Sequence, residues 1–308
     1  MTRSFYSNGK LLLTGEYAVL DGALALALPT RFGQKLEVIS STTGILQWQS
    51  FTAEGNCWLE AEIKIPDITL KTLITGNKHE AETLLQLLKQ IRVQNPLFLN
   101  NTAGYHVKTI LDFPRNWGLG SSSTLVSNLA KWAAVDAYAL QFAVFGGSAY
   151  DIACAQHDTP ILYRLKNKKP LVENVNFDPP FKDRLFFVHL NQKQNSREGI
   201  AAYKSFKGDV FAVAEKITAL TKKALNALTL ADFESVLAEH EQLIVSVIGQ
   251  PPVQQRLFND YSGQIKSLGA WGGDFILATG NEETPSYFKK EGYETVIPYS
   301  EMILCPDR

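Results

Sequence analysis

Apolar residues recur along the chain in two rhythms, one of strands and one of helices. Trp58 to Ile65 alternates apolar and polar, the signature of a half-buried strand. Leu84, Leu85, Leu87, Leu88 and Ile91 instead fall on one helical stripe, which predicts a helix over 77–93 with Pro96 beyond its end. Strands are expected at Phe5–Thr14 and Gly104–Phe113. A further pair, Phe32–Ser40 and Ile45–Thr52, reads as two strands joined through Ser41–Gly44. Between Phe5–Thr14 and Phe32–Ser40 lies an apolar segment, Ala18–Ala27, with a turn at Asp21-Gly22. Leu125–Tyr138 has Ala-rich helical composition, Ala149–Gln156 reads as a short helix, and Ile161–Leu165 with Leu171–Val175 suggests a hairpin.

Asp178-Pro179-Pro180 is the best linker, lying between two strand patterns. Beyond it come a strand at Leu185–Leu190, a helix opening near Asn195-Ser196, and a helix over Val210–Leu228. Thr229 then caps a helix that runs to Ile248, where Gly249, Pro251 and Pro252 stop it. A helix ending near Leu268, a strand after the glycines at 269–273, a helix over 285–291 and a strand over 295–298 close the pattern. The order predicts an α+β fold rather than repeating βαβ units, with domains over 1–180 and 181–308.

Composition narrows the function only by exclusion. A formal net charge of −1 gives no electrostatic reason to expect nucleic acid or an anionic membrane as partner. Cys57, Cys154 and Cys305 are odd in number and scattered, which suits a reducing compartment rather than a disulfide scaffold. The histidines show no zinc-ligand spacing. Met1–Lys10 lacks the apolar core of a secretory signal, and Tyr17–Pro29 is too short and interrupted to span a bilayer, so a cytoplasmic protein is expected.

The chemistry concentrates in Phe113-Pro-Arg-Asn-Trp-Gly-Leu-Gly-Ser-Ser-Ser-Thr124, a glycine-rich loop between an expected strand and an expected helix. Gly118 and Gly120 permit backbone angles that a Cβ forbids, and a helix N-terminus presents unpaired N–H groups to an anion. Phosphate binding and an ordinary strand–turn–helix junction capped by serine account for this loop equally well. A Walker A loop would need a lysine after Gly120, and a Rossmann fingerprint would need a third glycine at position 123, which is Ser123. A phosphate held here must draw its neutralising cation from another part of the chain.

Two further stretches change the odds. Gly9-Lys-Leu-Leu-Leu-Thr-Gly-Glu-Tyr17, Gly118-Leu-Gly-Ser-Ser-Ser123 and Gly269-Ala-Trp-Gly-Gly-Asp274, in that order, resemble the motifs of the GHMP kinases, and Gly147-Ser-Ala-Tyr-Asp151 looks like a segment that carries a catalytic Asp. The opening motif is most similar to the mevalonate and phosphomevalonate kinase branch. The resemblance implies a ribosomal protein S5 domain 2-like domain followed by a ferredoxin-like domain. It implies an ATP- and Mg²⁺-dependent kinase acting on a small-molecule hydroxyl or phosphate. Diphosphomevalonate decarboxylase chemistry and a catalytically silent nucleotide- or metabolite-binding role are the alternatives.

Residue by residue, the resemblance implies that ATP phosphates lie over Gly118, Leu119, Gly120, Ser121, Ser122 and Ser123. Asp151 would take or orient the acceptor proton, with Lys10 close by as the missing cation. Ser122 would be a Mg²⁺ ligand. Asp136, the one carboxylate from Thr124 to Tyr150, is the candidate to complete the metal shell. Glu16, Ser196, Gly272 and Gly273 are carried as substrate-binding positions. Trp271 departs from the small residues usual in the third motif and is expected to shape the acceptor pocket.

Overall fold

The computed structural model describes residues 2–100, 103–192, 196–269, 271 and 273–305, with the side chains of 196–198 left aside. It divides into two compact units that interleave along the chain. One comprises residues 1–9, 32–115 and 119–156, and the other residues 10–31, 116–118 and 157–308. This division by packing is separate from the domain boundary expected at 180/181.

The first unit is a sheet covered by helices. Its strands come from β1 (Thr2–Thr14), β2 (Ala25–Ser41), β3 (Ile45–Phe51), β4 (Cys57–Lys64) and β5 (Thr69–Thr75), and its longest helix is α1 (Lys78–Gln94). They are followed by β6 (Gly104–Leu111) and the helices α2 (Ser121–Ala133), α3 (Ala137–Val144) and α4 (Tyr150–Gln156). The residues of β1 up to Gly9 and of β2 from Phe32 belong to this unit. Asn77 and Glu80 form a reciprocal capping box that starts α1; Leu84, Leu87, Leu88 and Ile91 turn inward as the stripe predicts, together with Ala81, while Leu85 is only partly buried. They pack with Trp48, Leu59, Ile63 and Val107 of the sheet in one apolar core.

Three features of this unit depart from the sequence expectation. The strands β2 and β3 do not pair. The order is β5-β4-β3-β6-β2, with β6 antiparallel to β2 and parallel to β3. Gly104 makes this possible: a Cβ there would come within 2.3 Å of Thr43 Oγ1 and 2.4 Å of Ser41 Oγ, so only glycine lets β6 enter beneath the short link joining its neighbours. The strand β5 was not expected. The single helix expected over 125–138 is two, because Ala134 takes a left-handed conformation after α2 and Asp136 caps α3.

In the second unit the early residues of β2 pair with β7 (Ile161–Lys166), which pairs in turn with β8 (Lys169–Asn174), the expected hairpin. A four-stranded antiparallel sheet uses β9 (Leu185–His189) at its centre. Around it run α5 (Ser196–Ser205), α6 (Val210–Leu225), α7 (Leu230–Ile248) and α8 (Val253–Leu257). The chain ends through β10 (Ile265–Ser267), β11 (Phe275–Thr279), α9 (Thr284–Lys290), β12 (Val296–Pro298) and α10 (Tyr299–Met302). The sheet order is β10-β11-β9-β12. The helix expected to end near Leu268 is instead α8 followed by β10. That strand is too short for a period to show, and all three of its residues, Lys266 included, are buried.

The core of the first unit predicts its own sensitivity. Leu88 is completely buried under α1, so Leu88→Ala is expected to lower the unfolding free energy by about 2–5 kcal/mol in a urea titration. A loss below ~1 kcal/mol would mean that the site collapses around the truncation.

Candidate active site

Each motif is best followed within its own unit. In the second unit, Lys10 lies on β1 just before the chain turns at Gly15. Its Nζ donates to the carbonyl oxygen of Gly118 at 2.7 Å. Gly118 is left-handed, with φ of +64°, and a Cβ on it would sit 2.1 Å from Oδ2 of Asp274. Both conditions demand glycine. Asp274 closes the third motif at the entrance to β11, and its carbonyl accepts from Leu190 N–H at 2.9 Å. Gly269, at the start of that motif, would place a Cβ 3.8 Å from the same Asp274 oxygen. Three stretches separated by more than a hundred residues each thus converge on one glycine. Lys10 is a cation standing on the backbone of the glycine loop.

The flanks of Gly118 are held by aromatic contacts. Trp117 meets Phe275 edge to face at 5.5 Å and lies 6.3 Å from the His189 ring. Nε2 of His189 is 3.2 Å from the carbonyl oxygen of Asn116. Nothing in the sequence singled out His189, which reads as one more position in an apolar strand.

In the first unit the loop continues into α2. Gly120 is the left-handed residue before the helix and makes no side-chain cap, so the first amides of α2 have no side-chain partner from it. The hydroxyls that follow divide by burial. Ser123 is buried and donates to Gly120 O at 2.8 Å, and Thr124 is buried and donates to Gln34 Oε1 at 3.0 Å. Ser121 is half-buried, while Ser122 is exposed in the first turn. Asp151 stands in the first turn of α4, which packs on α2 and α3. Its Oδ1 accepts from Ile152 N–H at 3.1 Å. Ala149, just before this helix, is left-handed at φ +60° although it is not glycine.

Three sequence expectations need revision. Asp136 does not meet Ser122. They stand at opposite ends of the thirteen-residue α2, about 20 Å apart at 1.5 Å per residue. The Asp136 carboxylate instead accepts from Tyr138 and Ala139 N–H as the cap of α3. Glu16 is 1% exposed and faces other side chains of its own unit rather than an open surface. Trp271 is wholly buried in an apolar cluster with Tyr17, Tyr203 and Ile244, so its ring fills core rather than lining a pocket. Arg115, just before the glycine loop, is engaged by Glu80 at 2.6 Å and lies over the Trp58 ring. Gly273 follows Trp271 in the third motif. Gly272 and the side chain of Ser196 lie outside the described residues.

Glu16 belongs to a buried charged cluster that sequence reading missed. Lys266, with no exposed surface, bonds Glu16 Oε1 and lies 3.1 Å from Glu241 Oε1. His240 Nε2 accepts from Gly15 N–H at 3.2 Å and is 3.3 Å from Glu16 Oε2. Burial, opposed by Lys266, raises the Glu16 carboxyl to about 7. Burial and then the Lys266 charge push His240 well below its usual value. Burial works against the charge on Lys266, but Glu16 and Glu241 outweigh it and hold its pKa above the ordinary lysine value. One cation faces two carboxylates, so near neutral pH the cluster lowers its charge by protonating a carboxylate rather than the imidazole.

Among the described residues no group of three or more His, Cys, Asp or Glu side chains could cage a metal ion. Mg²⁺ needs no such cage, since it keeps waters and binds through phosphates with one or two protein ligands. The exposed Ser122 fits that donor set. No helix among the described residues is long and apolar enough to cross a membrane.

No family model matches the sequence, and no curated protein matches it. Solved structures do. The Methanococcus jannaschii mevalonate kinase superposes with a TM-score of 0.72 at 16% identity, over 96% of this chain and 97% of that one. The Streptococcus pneumoniae phosphomevalonate kinase in complex with phosphomevalonate and AMPPNP gives 0.65 at 16%, over 99% and 98%. The Lactococcus lactis galactokinase complexed with galactose gives 0.67 at 12%, over 94% and 88%. The chain has the GHMP kinase fold. These matches cover nearly the whole of this chain.

Two expected outcomes follow. Asp136→Ala should cost about 1 kcal/mol of stability, the value of a helix cap, and leave the affinity for Mg²⁺-nucleotide, measured by titration calorimetry, unchanged. For Glu16, a raised carboxyl means that the folded protein binds more protons than the unfolded chain between 4.5 and about 7, so its contribution to stability falls as pH rises through that window. Glu16→Gln removes that dependence. Its melting temperature relative to wild type should therefore rise from pH 5 to pH 7.5, and a flat difference would contradict the assignment.

Proposed function

We propose that the chain is an ATP-dependent kinase that transfers the γ-phosphoryl group to a hydroxyl or phosphate of a small molecule, with mevalonate or phosphomevalonate the foremost acceptors. The observation that supports this most is the Lys10 ammonium on the carbonyl of Gly118, because it supplies the charge that the glycine loop lacks. The fold shared with mevalonate and phosphomevalonate kinases supports it independently. On this reading residues 1–180 form a ribosomal protein S5 domain 2-like domain and 181–308 a ferredoxin-like one.

The roles follow from the chemistry of phosphoryl transfer, in which positioning and charge neutralisation do most of the catalysis. The backbone of Gly118–Gly120 and the first amides of α2 hold phosphate oxygens, since the helix N-terminus is partially positive there. Lys10 offsets charge that develops as the bond from the γ-phosphorus to the bridging oxygen breaks. Asp151 accepts the proton of an attacking hydroxyl while the new oxygen–phosphorus bond forms and ADP leaves. Ser122 would hold Mg²⁺, which neutralises phosphate charge when bound. The substrate side of the site is less crowded with candidates, because Glu16, Trp271 and Arg115 are all committed elsewhere.

The test is acceptor-dependent ADP release across mevalonate, phosphomevalonate, homoserine and galactose. One of the first two is expected to stimulate release most strongly. Asp151→Ala should then lower kcat by about 10²–10⁴-fold, the worth of a positioned base, and Lys10→Met by about 10²–10³-fold, with both variants melting near wild type. Undiminished turnover in Asp151→Ala removes it as the base. Diphosphomevalonate with release of CO₂ would favour the decarboxylase, and nucleotide binding without turnover the silent regulator.

A further inference from the structure

We infer that Lys266 is a positioning residue for this site: it ties the turn that follows Lys10 to the strand that leads into the loop of Asp274. The inference rests on the kinase reading only for the meaning of the site, since the tie itself is geometric.

The two segments it joins are those that bracket Gly118. Glu16 follows Lys10 by six positions, at the turn after β1, and Lys266 precedes Gly269 by three. Lys266 Nζ reaches Glu16 Oε1, Glu241 Oε1 at 3.1 Å and the carbonyl of Ser267 at 2.6 Å. Ser267 Oγ donates to the other oxygen of Glu241 at 2.8 Å and accepts from Val253 N–H at 3.1 Å. The adjacent His240 on α7 accepts from Gly15 N–H, the residue between Lys10 and Glu16 where β1 turns. A Cβ at Gly15 would lie 2.5 Å from the Cβ of Ala25, so this turn has little room to shift. Helix α7 therefore serves as the anvil, holding the first motif through His240 and the third through Glu241.

Apolar contacts repeat the same connection. The Lys266 ammonium lies 5.2 Å over the ring of Trp271, and Trp271 shares one buried cluster with Tyr17, the neighbour of Glu16. Tyr17 and Trp271 both have positive φ, at +58° and +62°, which is costly to residues with a Cβ. Such strain persists only where surrounding packing over-determines it, and it concentrates at functional sites.

Stability alone does not explain the arrangement. Burying an ion pair generally returns no more than a well-packed apolar replacement would, because desolvation consumes the Coulomb gain. Here a single ammonium is buried with two carboxylates, which makes the balance worse. What buried ionic groups supply in some proteins is a fixed register between the segments they join, and that is the role inferred here. The register set here places Asp274 on Gly118 while Lys10 binds the carbonyl of the same residue.

The experiment is hydrogen exchange on the full chain, with Lys266→Met as the test and Leu88→Ala, a destabilising truncation in the core of the other unit, as the control. Lys266→Met should speed exchange at least tenfold in peptides covering 10–19 and 271–277, while Leu88→Ala leaves those peptides as in wild type. If Lys266→Met does not fold, the triple variant Lys266→Met with Glu16→Gln and Glu241→Gln, which removes both stranded carboxylates, takes its place. Unchanged exchange in a folded variant, or equal acceleration in Leu88→Ala, overturns the inference. With an active acceptor, kcat should fall at least tenfold while the KM for ATP moves less than threefold, and a change in KM alone also overturns it. Should wild type transfer phosphate to no acceptor, the kinase reading fails, and the exchange data still decide whether Lys266 ties the two segments.

Discussion

The packing of a carboxylate directly onto an α-carbon organises the rest of the second unit. Asp274 can lie against Gly118 only because Gly118 has no side chain and because its left-handed backbone turns its face toward the third motif. Lys10 then closes the arrangement from the first motif by bonding the Gly118 carbonyl. Each of the three stretches is weak as a pattern, because glycine turns are common. Together they are specific, since each supplies what another lacks: a cation, a bare α-carbon, an acid. A substitution at any of them would disturb all three.

The parts of this arrangement legible in the sequence were those with a local signature. The stripe of Leu84, Leu87, Leu88 and Ile91 marked α1, and the alternation after Trp58 marked β4. Gly118, Lys10 and Asp151 stood out by their motifs. Asp136 and Trp271 misled for a shared reason, because residue type suggests chemistry and only packing assigns it. A lone acid between two candidate elements looks like a metal ligand, yet here it caps a helix. A tryptophan in a glycine loop looks like a pocket wall, yet here the loop turns its ring into the core.

The buried cluster around Lys266 was invisible for a different reason. Its members come from the turn after β1, from α7 and from β10, and each sits in an ordinary local setting: a charged residue in a turn, two polar residues on a helix, a lysine in a three-residue strand. No spacing links them. Only the fold brings them together, and only burial changes their chemistry. Raised carboxyls and a lowered imidazole are therefore properties of the tertiary structure rather than of any motif.

The insertion of β6 between β2 and β3 has a consequence for how the chain reaches its fold. Strands joined by so short a link would ordinarily zip into a hairpin within microseconds. Here that pairing is not native, and the place between them belongs to a strand whose residues arrive some sixty positions later. The native partner of both facing edges is therefore a strand that comes later in the chain, ending at Leu111. Open edges of this kind can template association between chains, and long-range pairing is slow to form. The glycine that admits β6 thus makes the centre of this sheet depend on a contact closed across some sixty residues rather than on a local hairpin.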